Sequence, residues 1–529
     1  MLSDTAQRSA LSDPSAEGSG AVVVIGGGIA GMVSAWELAR SGARVVLLEA
    51  GDELGGRVRR ENIDDVTLDI GAESFATRGG AVAALLTELG MADEIVHPAS
   101  LGSWVVTSDA ARAVPLPPAG TIGIPATPLS WSTVRALGVA GAMRAAIEPL
   151  LPPSIGRSGA LDDVIRARLG ARVLDRLVRP VVLGIHSTDP ADMTVRSIPG
   201  LAEAYARRGS LILAARDLRA SRTAAGGAVA GLRGGMASLV SRLREELDLL
   251  GVAVHTGTRV IAVRRDAEGP GGVIEPGSAT SDPEGGPLRL ASLAQEPGGG
   301  LASRLLSEPL GETKCPQEPG LWRILTEDAE LRADAVVLAV PEHIAAPLLG
   351  RANATPAEVE VVALLIDDAR LDAAPRGTGV LIAESAGASV ITAKALTHVT
   401  AKWPERATGP HVLRLSYGRL GRAPETLGLD DAMTTALALA DASRILDIAL
   451  APSSVRGMRR RVWTNVSGSP DTTADALPPG LALAGDWVSG TGLASVIPGA
   501  RRAAADTLAA LHRSVSGSTQ TGEVRPQHE

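Results

Sequence analysis

The chain has 529 residues, 45% of them hydrophobic and 21% charged, which suits a soluble globular protein of about two to four domains. A net charge of −8 with no basic block excludes the clustered positive face that nucleic-acid binding needs. Cys315 is the only cysteine, so an intrachain disulfide framework and a cysteine-built metal site are excluded, and a reducing cytoplasmic setting fits.

Residues 1–20 lack the basic start and apolar core of a secretory leader and read as a disordered tail. The run "AVVVIGGGIAGMVSAWELARSGARVVLLEA" then reads as a βαβ unit. Val22 to Ile25 is a short β-branched strand, Met32 to Arg40 has helical spacing, and Arg44 to Leu48 is a second buried strand. The uncharged stretch from Ala21 to Trp36 is too short and too rich in glycine to span a membrane.

Gly26, Gly28 and Gly31 form G-x-G-x-x-G after a strand and at a helix start. The first glycine permits the tight turn, the second admits a pyrophosphate to the backbone, and the third lets helix and strand pack closely. The helix N-terminus adds free N–H groups and a positive dipole end. Glu49 ends the second strand at the spacing where an acid holds a ribose hydroxyl, which argues against a 2′-phosphate. The turn by itself leaves NAD and FAD open. Gly55-Gly56 allow another close backbone approach, and Arg57 reads equally as a phosphate ligand or a solvated charge.

Farther along, residues from Thr121 to Leu218 read as mainly helical, and "GLRGGMASLVSRLREELDLLGVAVHTGTRVIAVRRD" as a helix and two strands. Residues 267–320 are dense in Gly, Pro, Ser and Glu and read as a disordered hairpin loop between "RVIAVRR" and "LWRIL". "ADAVVLAVP" is another buried strand, Glu358 to Leu415 mixes strands and turns, and "DDAMTTALALADASRILDI" is an amphipathic helix. A second glycine turn, "LALAGDWVSGTGLASV", precedes a final helix and a polar tail from Ser514.

Together, "GGGIAG", "LLEAGDELGGRVR" and "LDIGAESF" resemble flavin oxidases of the amine oxidase superfamily. "LGIHSTDPADMTVRSIPGLAEA", "GLRGGMASL", "AKALTHVTAKWP" and the second glycine turn are similar to the porphyrinogen oxidases in particular. The resemblance implies a mixed α/β fold: a Rossmann-like FAD-binding domain assembled from discontinuous segments, a β-sheet substrate domain and an inserted helical domain. Its expected boundaries are 21–102, 219–350 and 455–513 for the FAD unit, with 103–218 as a mainly helical and substrate region and 351–454 as the substrate-binding domain.

Carried over by motif, the resemblance implies that Gly26, Gly27, Gly28, Ile29, Ala30, Gly31, Glu49, Ala50, Arg57, Gly71, Ala72, Glu73 and Ser74 contact FAD. It places Val260 at the adenine end, and Trp463, Gly485, Asp486, Thr491, Gly492 and Leu493 around the flavin and its diphosphate chain. The two glycine turns then form two walls of one FAD site, because the second lacks a strand–turn–helix unit with its own acid. The flavin is expected to be non-covalent, since Cys315 lies far from any flavin motif.

The implied activity is oxidation of a porphyrinogen by O2 with release of H2O2, in heme biosynthesis. Gly184 matches a substrate-facing glycine, and the propionates need cations, for which Arg78, Arg179, Arg196, Lys394 and His186 are the candidates. Ser103 before Trp104 stands where animal and plant protoporphyrinogen oxidases carry an arginine, which favours coproporphyrinogen III over protoporphyrinogen IX. The segment 463–480 departs from the family pattern, which keeps a non-catalytic FAD-binding relative open, and because fold does not fix substrate a protoporphyrinogen IX oxidase and an amine oxidase-like enzyme stay open as well. A downstream heme-pathway enzyme as partner and a peripheral membrane contact also stay open.

Overall fold

The computed structural model describes residues 21–106, 113–117, 119–156, 159–224, 229–266, 321–352, 357–383, 391–407, 409–465 and 477–519. The expected tail 1–20, the loop 267–320 and positions 466–476 of the divergent segment lie outside these residues.

The chain returns to one parallel sheet from four distant regions. Its strands lie in the order Ala253–His255, Arg44–Leu48, Ala21–Ile25, Ala335–Leu338 and Leu481–Leu483. Val23 stands opposite Val46 on one side and Val336 on the other, and Leu338 opposite Leu483, all in parallel register. Both faces are covered, which is why these strands are continuous apolar runs rather than alternating ones. Val22 and Val24 face the helices Ile29–Arg40, Ala237–Leu249 and Leu493–Thr519. Val23 and Ile25 face Trp322, Ile324 and Leu338. Each such buried side chain contributes ~1.5–3 kcal/mol, so the sheet is a rigid base for the turns at its carboxyl edge.

Trp322 and Ile324 belong to an antiparallel strip made of Val260–Arg265, Trp322–Thr326 and Glu330–Ala333. The two strands expected to flank residues 267–320 thus pair with each other, Arg265 opposite Trp322.

A second sheet has seven strands, in the order Val455–Asn465, Ala357–Ile366, His411–Tyr417, Ala395–His398, Gly379–Ile382, Trp104–Val106 and Ala113–Pro115. The helix Asp431–Leu446 covers one face. One placement differs from the sequence expectation. Val455–Asn465 was grouped with the third FAD segment but pairs along its whole length with Ala357–Ile366 in this sheet. The strand Trp104–Val106, which opens the region expected to be mainly helical and substrate-binding, joins the sheet by parallel pairing with Gly379–Ile382. Long-range pairing of this kind leaves no local signature in sequence.

Helices between Trp131–Ala146 and Leu211–Ala224 form a third layer around Leu161, Ile165, Leu177 and Leu211. Gly138, at φ 72°, interrupts the first of them. The ion pair Glu148–Arg168 is fully buried there. The C-terminal helix runs on to Thr519, past the point where a tail was expected, with no proline after Ser514 to stop it within that range.

Candidate functional site

The first glycine turn is closed by its own backbone. Gly26 adopts φ 104° and donates to Leu48 O at 2.7 Å, and a Cβ at Gly31 would lie 1.8 Å from Gly26 O. Glu49 accepts from Gly27 N at 2.6 Å and from Gly51 N at 2.7 Å, so the carboxylate sits against the turn. Gly28 forms a parallel bridge with Gly55, and a Cβ on Gly56 would stand 3.1 Å from Gly28 Cα. The two glycine pairs therefore meet backbone to backbone, leaving an edge without side chains. Ile29 and Ala30 turn their side chains into the core, so what they offer to the groove is main-chain N–H. Ala50 is exposed at the strand end.

Val260 comes to this end through the preceding turn. Gly257 N donates to Gly51 O at 2.9 Å and Thr258 N to Glu49 O at 2.8 Å. This fixes the start of the antiparallel strip beside the acid.

The second glycine turn reaches the same groove. Asp486, just beyond the strand Leu481–Leu483, forms an ion pair with Arg57. Gly485 makes the bend with φ 132°, and Trp487 Nε1 donates to Val340 O at 3.0 Å, locking the turn onto the neighbouring strand end. Arg57 is thus a bridging residue between the two turns. The segment Gly71 to Ser74 runs alongside. Ala72 N donates to Arg57 O at 2.9 Å, and a Cβ at Gly71 would be 2.0 Å from Arg57 O and 3.3 Å from Trp463 Cζ2. Among the described residues Trp463 Nε1 is a buried donor with no acceptor. Glu73 behaves differently from its neighbours. It is paired with Lys402 and Arg414, and although burial opposes its ionisation, these two cations hold its pKa at about 2. Ser74 is half-buried next to it.

Beyond Asp486 the chain turns through Gly490 and Gly492, at φ 91° and 85°, before the helix Leu493–Thr519. A Cβ on Gly492 would meet nothing within 4 Å, so this turn faces open space. Leu493 packs into the first core and presents only its backbone there.

Across from it stands the end of the helix Arg179–His186. His186 Nδ1 lies 3.4 Å from Thr491 Oγ1. Burial, aided by the Arg78 charge, depresses the His186 pKa. Arg78 donates to Ser495 Oγ at 2.7 Å on the opposing helix. Ser187 caps the helix at φ 56°, and its Oγ accepts from Lys394 Nζ at 2.7 Å. Lys394 also donates to Gly418 O at 2.7 Å. Burial lowers its pKa to about 7, against Glu425, which raises it, and with Arg419, which lowers it further. Gly184 is packed so closely that a Cβ would be 2.6 Å from Leu381 Cδ2.

The structure thus brings Gly184, His186, Lys394, Arg78, Thr491 and Gly492 to one locality. It does not bring Arg179 or Arg196 there. Arg179 begins the same helix that His186 ends, ~10 Å away by helical rise, and is ion-paired with Asp189 and Asp175. Arg196 is exposed on the short turn Val195–Ser197. Sequence reasoning missed Ser187, whose left-handed cap is legible only in that it precedes "TDP", and missed the cations that hold Glu73.

A groove without side chains, a carboxylate at the strand end, a helix N-terminus and an orphaned indole N–H beside Gly71 fit a dinucleotide bound across both turns. Comparison with known proteins agrees. The family model for flavin containing amine oxidoreductases matches residues 29–282. A coproporphyrinogen III oxidase of Mycobacterium tuberculosis (strain ATCC 25618 / H37Rv) is 29% identical over 516 residues, covering 93% of this chain and 98% of that one. A solved structure of a protein from Exiguobacterium sp. 255-15 superposes with a TM-score of 0.70 at 21% identity, over 94% of this chain and 99% of its own. A putrescine oxidase superposes with a TM-score of 0.57 at 14% identity, over 92% and 98%. The chain is similar to the flavin containing amine oxidoreductases over residues 29–282 and to coproporphyrinogen III oxidases over most of its length, and it is an FAD-dependent oxidoreductase.

Proposed function

We propose that the protein oxidises a porphyrinogen to a porphyrin in heme biosynthesis, with O2 as acceptor and H2O2 as by-product, and that coproporphyrinogen III is its substrate. The observation that carries this reading is the pair Arg78 and Lys394. Both are half-buried, Arg78 at Ser495 just after the second glycine turn and Lys394 at Ser187 next to His186, and among the described residues no salt bridge joins either to a carboxylate, Glu425 acting on Lys394 only through its field. Each is held instead by a neutral oxygen, Ser495 Oγ or Ser187 Oγ and Gly418 O. Such cations suit an anionic ligand that bears separated carboxylates. The names of the relatives that span most of the chain support the same class.

Bound FAD supplies a two-electron acceptor that O2 reoxidises. The chain's own residues bind and orient. First-turn N–H groups from Gly28 to Gly31 receive the diphosphate, Glu49 the ribose, and Arg57 with Asp486 closes the groove. The N-terminus of the helix Leu493–Thr519 aims its positive end at the locality where negative charge develops. Arg78 and Lys394 anchor propionates so that the ring carbon to be oxidised is fixed, and His186, kept neutral by burial, accepts or donates one hydrogen bond. Ser103 bonds Thr378 Oγ1 at 3.3 Å and adds no positive charge at that strand, which suits a substrate whose carboxylates are gripped elsewhere.

In this reading 21–102 and 219–350 belong to the FAD unit together with the chain beyond 477. FAD is non-covalent, and the porphyrin passes to a downstream heme-pathway enzyme in the cytoplasm. Among the described residues, no helix is long and apolar enough to cross a membrane. Steady-state assays that follow O2 uptake and porphyrin fluorescence test the assignment. Coproporphyrinogen III should turn over with a higher kcat/KM than protoporphyrinogen IX. Equal or reversed preference would overturn the choice of substrate, and turnover of neither would overturn the class.

A further inference from the structure

A buried charge cluster ties the segment from Asp69 to Ser74 to the second sheet. Glu73 is held by Lys402 and by Arg414 Nη1 at 3.0 Å. Arg414 also donates through Nη2 to Gly71 O at 2.7 Å and Ile70 O at 3.3 Å. Beside them Arg406 pairs with Asp69 at 3.2 Å and donates to Leu232 O, while Asp69 accepts from Met236 N at 2.9 Å. Glu405 faces Arg406 from the exposed side.

Burying so many charges costs desolvation energy that apolar packing of equal volume would avoid. The arrangement does something packing does not. It fastens a backbone carbonyl, Gly71 O, with a cation, and it sets fixed positive charge directly behind a segment that has no room for a side chain at Gly71.

We propose that Glu73, Lys402 and Arg414 are positioning residues that hold Gly71 to Ser74 against the bound flavin and set its reduction potential. The inference rests on the reading that this segment faces FAD. Reduction adds negative charge to the flavin, and fixed cations in a site shielded from water favour that charge, whereas the Glu73 carboxylate opposes it. Removing a cation and removing the anion must then act in opposite directions.

The test is the midpoint potential of flavin in purified holoenzyme, measured by dye-coupled anaerobic reduction. Lys402→Met should disfavour reduced flavin by about tenfold, which is about 30 mV for a two-electron couple. Glu73→Gln should shift the potential upward, and Lys402→Arg should restore the native value. Should Lys402→Met lose its flavin, Arg414→Gln carries the same downward prediction. Shifts of one sign in both charge variants, or no shift with FAD fully bound, would overturn the inference as a merely structural cluster. Wild-type protein without FAD would instead refute the cofactor reading beneath it, and flavin that coproporphyrinogen fails to reduce would refute only the proposed substrate.

Discussion

Lys394 Nζ donates to Ser187 Oγ across 2.7 Å, joining positions 207 residues apart. The bond crosses from the second sheet to the cap of the helix whose last residue, His186, touches Thr491. One dipeptide, His186-Ser187, therefore links the second glycine turn to the best-placed cation.

Lys394→Met should raise KM for coproporphyrinogen III roughly 10- to 150-fold, the range expected when a hydrogen bond to a charged group is lost. Ser187→Ala should act in the same direction but more weakly, because Gly418 O still holds the ammonium. Steady-state kinetics of both variants, with flavin content as the control, check this.

Substrate binding should also depend on pH through Lys394. Burial takes its pKa from 10.5 to about 7, so the charge is present below about 7 and lost above. KM should therefore climb as pH rises through 7, and Lys394→Arg should flatten the profile because its guanidinium stays charged. Stability runs the other way. Between pH 7 and 10.5 the unfolded chain holds a proton that the folded one has released, so this group makes folding more favourable as pH increases across that window.

Arg57 and Asp486 lie 429 positions apart and pair across the groove. Asp486→Asn should weaken FAD retention by about tenfold or more, since a charge-assisted contact becomes a neutral one. Release of flavin fluorescence on dilution measures it. Gly31→Ala is predicted to be more severe. Its Cβ would fall 1.8 Å from Gly26 O, a backbone clash that costs at least ~1–3 kcal/mol and opens the turn, so the protein should be purified colourless or insoluble.

Glu148→Ala serves as the contrast. Glu148 accepts from Arg168 Nε at 2.5 Å and from Leu211 N at 2.9 Å in the helical layer, far from either glycine turn in sequence. Removing one partner of a buried pair should cost ~3–5 kcal/mol in stability, read by thermal unfolding, while the flavin spectrum of the surviving folded protein stays unchanged.

What the sequence disclosed follows from how local each signal is. Gly26 to Gly31 and Glu49 were legible because strand, turn, helix and acid lie within one βαβ unit, and the structure shows Glu49 against Gly27. The second turn was legible as a glycine-rich stretch ahead of a final helix, and the structure places the strand Leu481–Leu483 before it at the edge of the first sheet. Which residue Asp486 meets was not, because nothing local marks Arg57 as its partner. Arg179 shows the reverse. Asp189, ten positions on, was a visible competitor for its charge, and the helix turns it toward that acid. Glu73 sits in a stretch that motif comparison assigns to FAD, yet Lys402 and Arg414 reach it only through the folding of the second sheet. Val455–Asn465 joins that sheet for the same reason.

The most direct test of the account is anaerobic mixing of the purified holoenzyme with coproporphyrinogen III. The account predicts one non-covalent FAD per chain, released by acid, whose visible absorbance bleaches on mixing and returns when O2 is admitted. Flavin that bleaches with amines but not with coproporphyrinogen III, or that no such donor reduces, would contradict it.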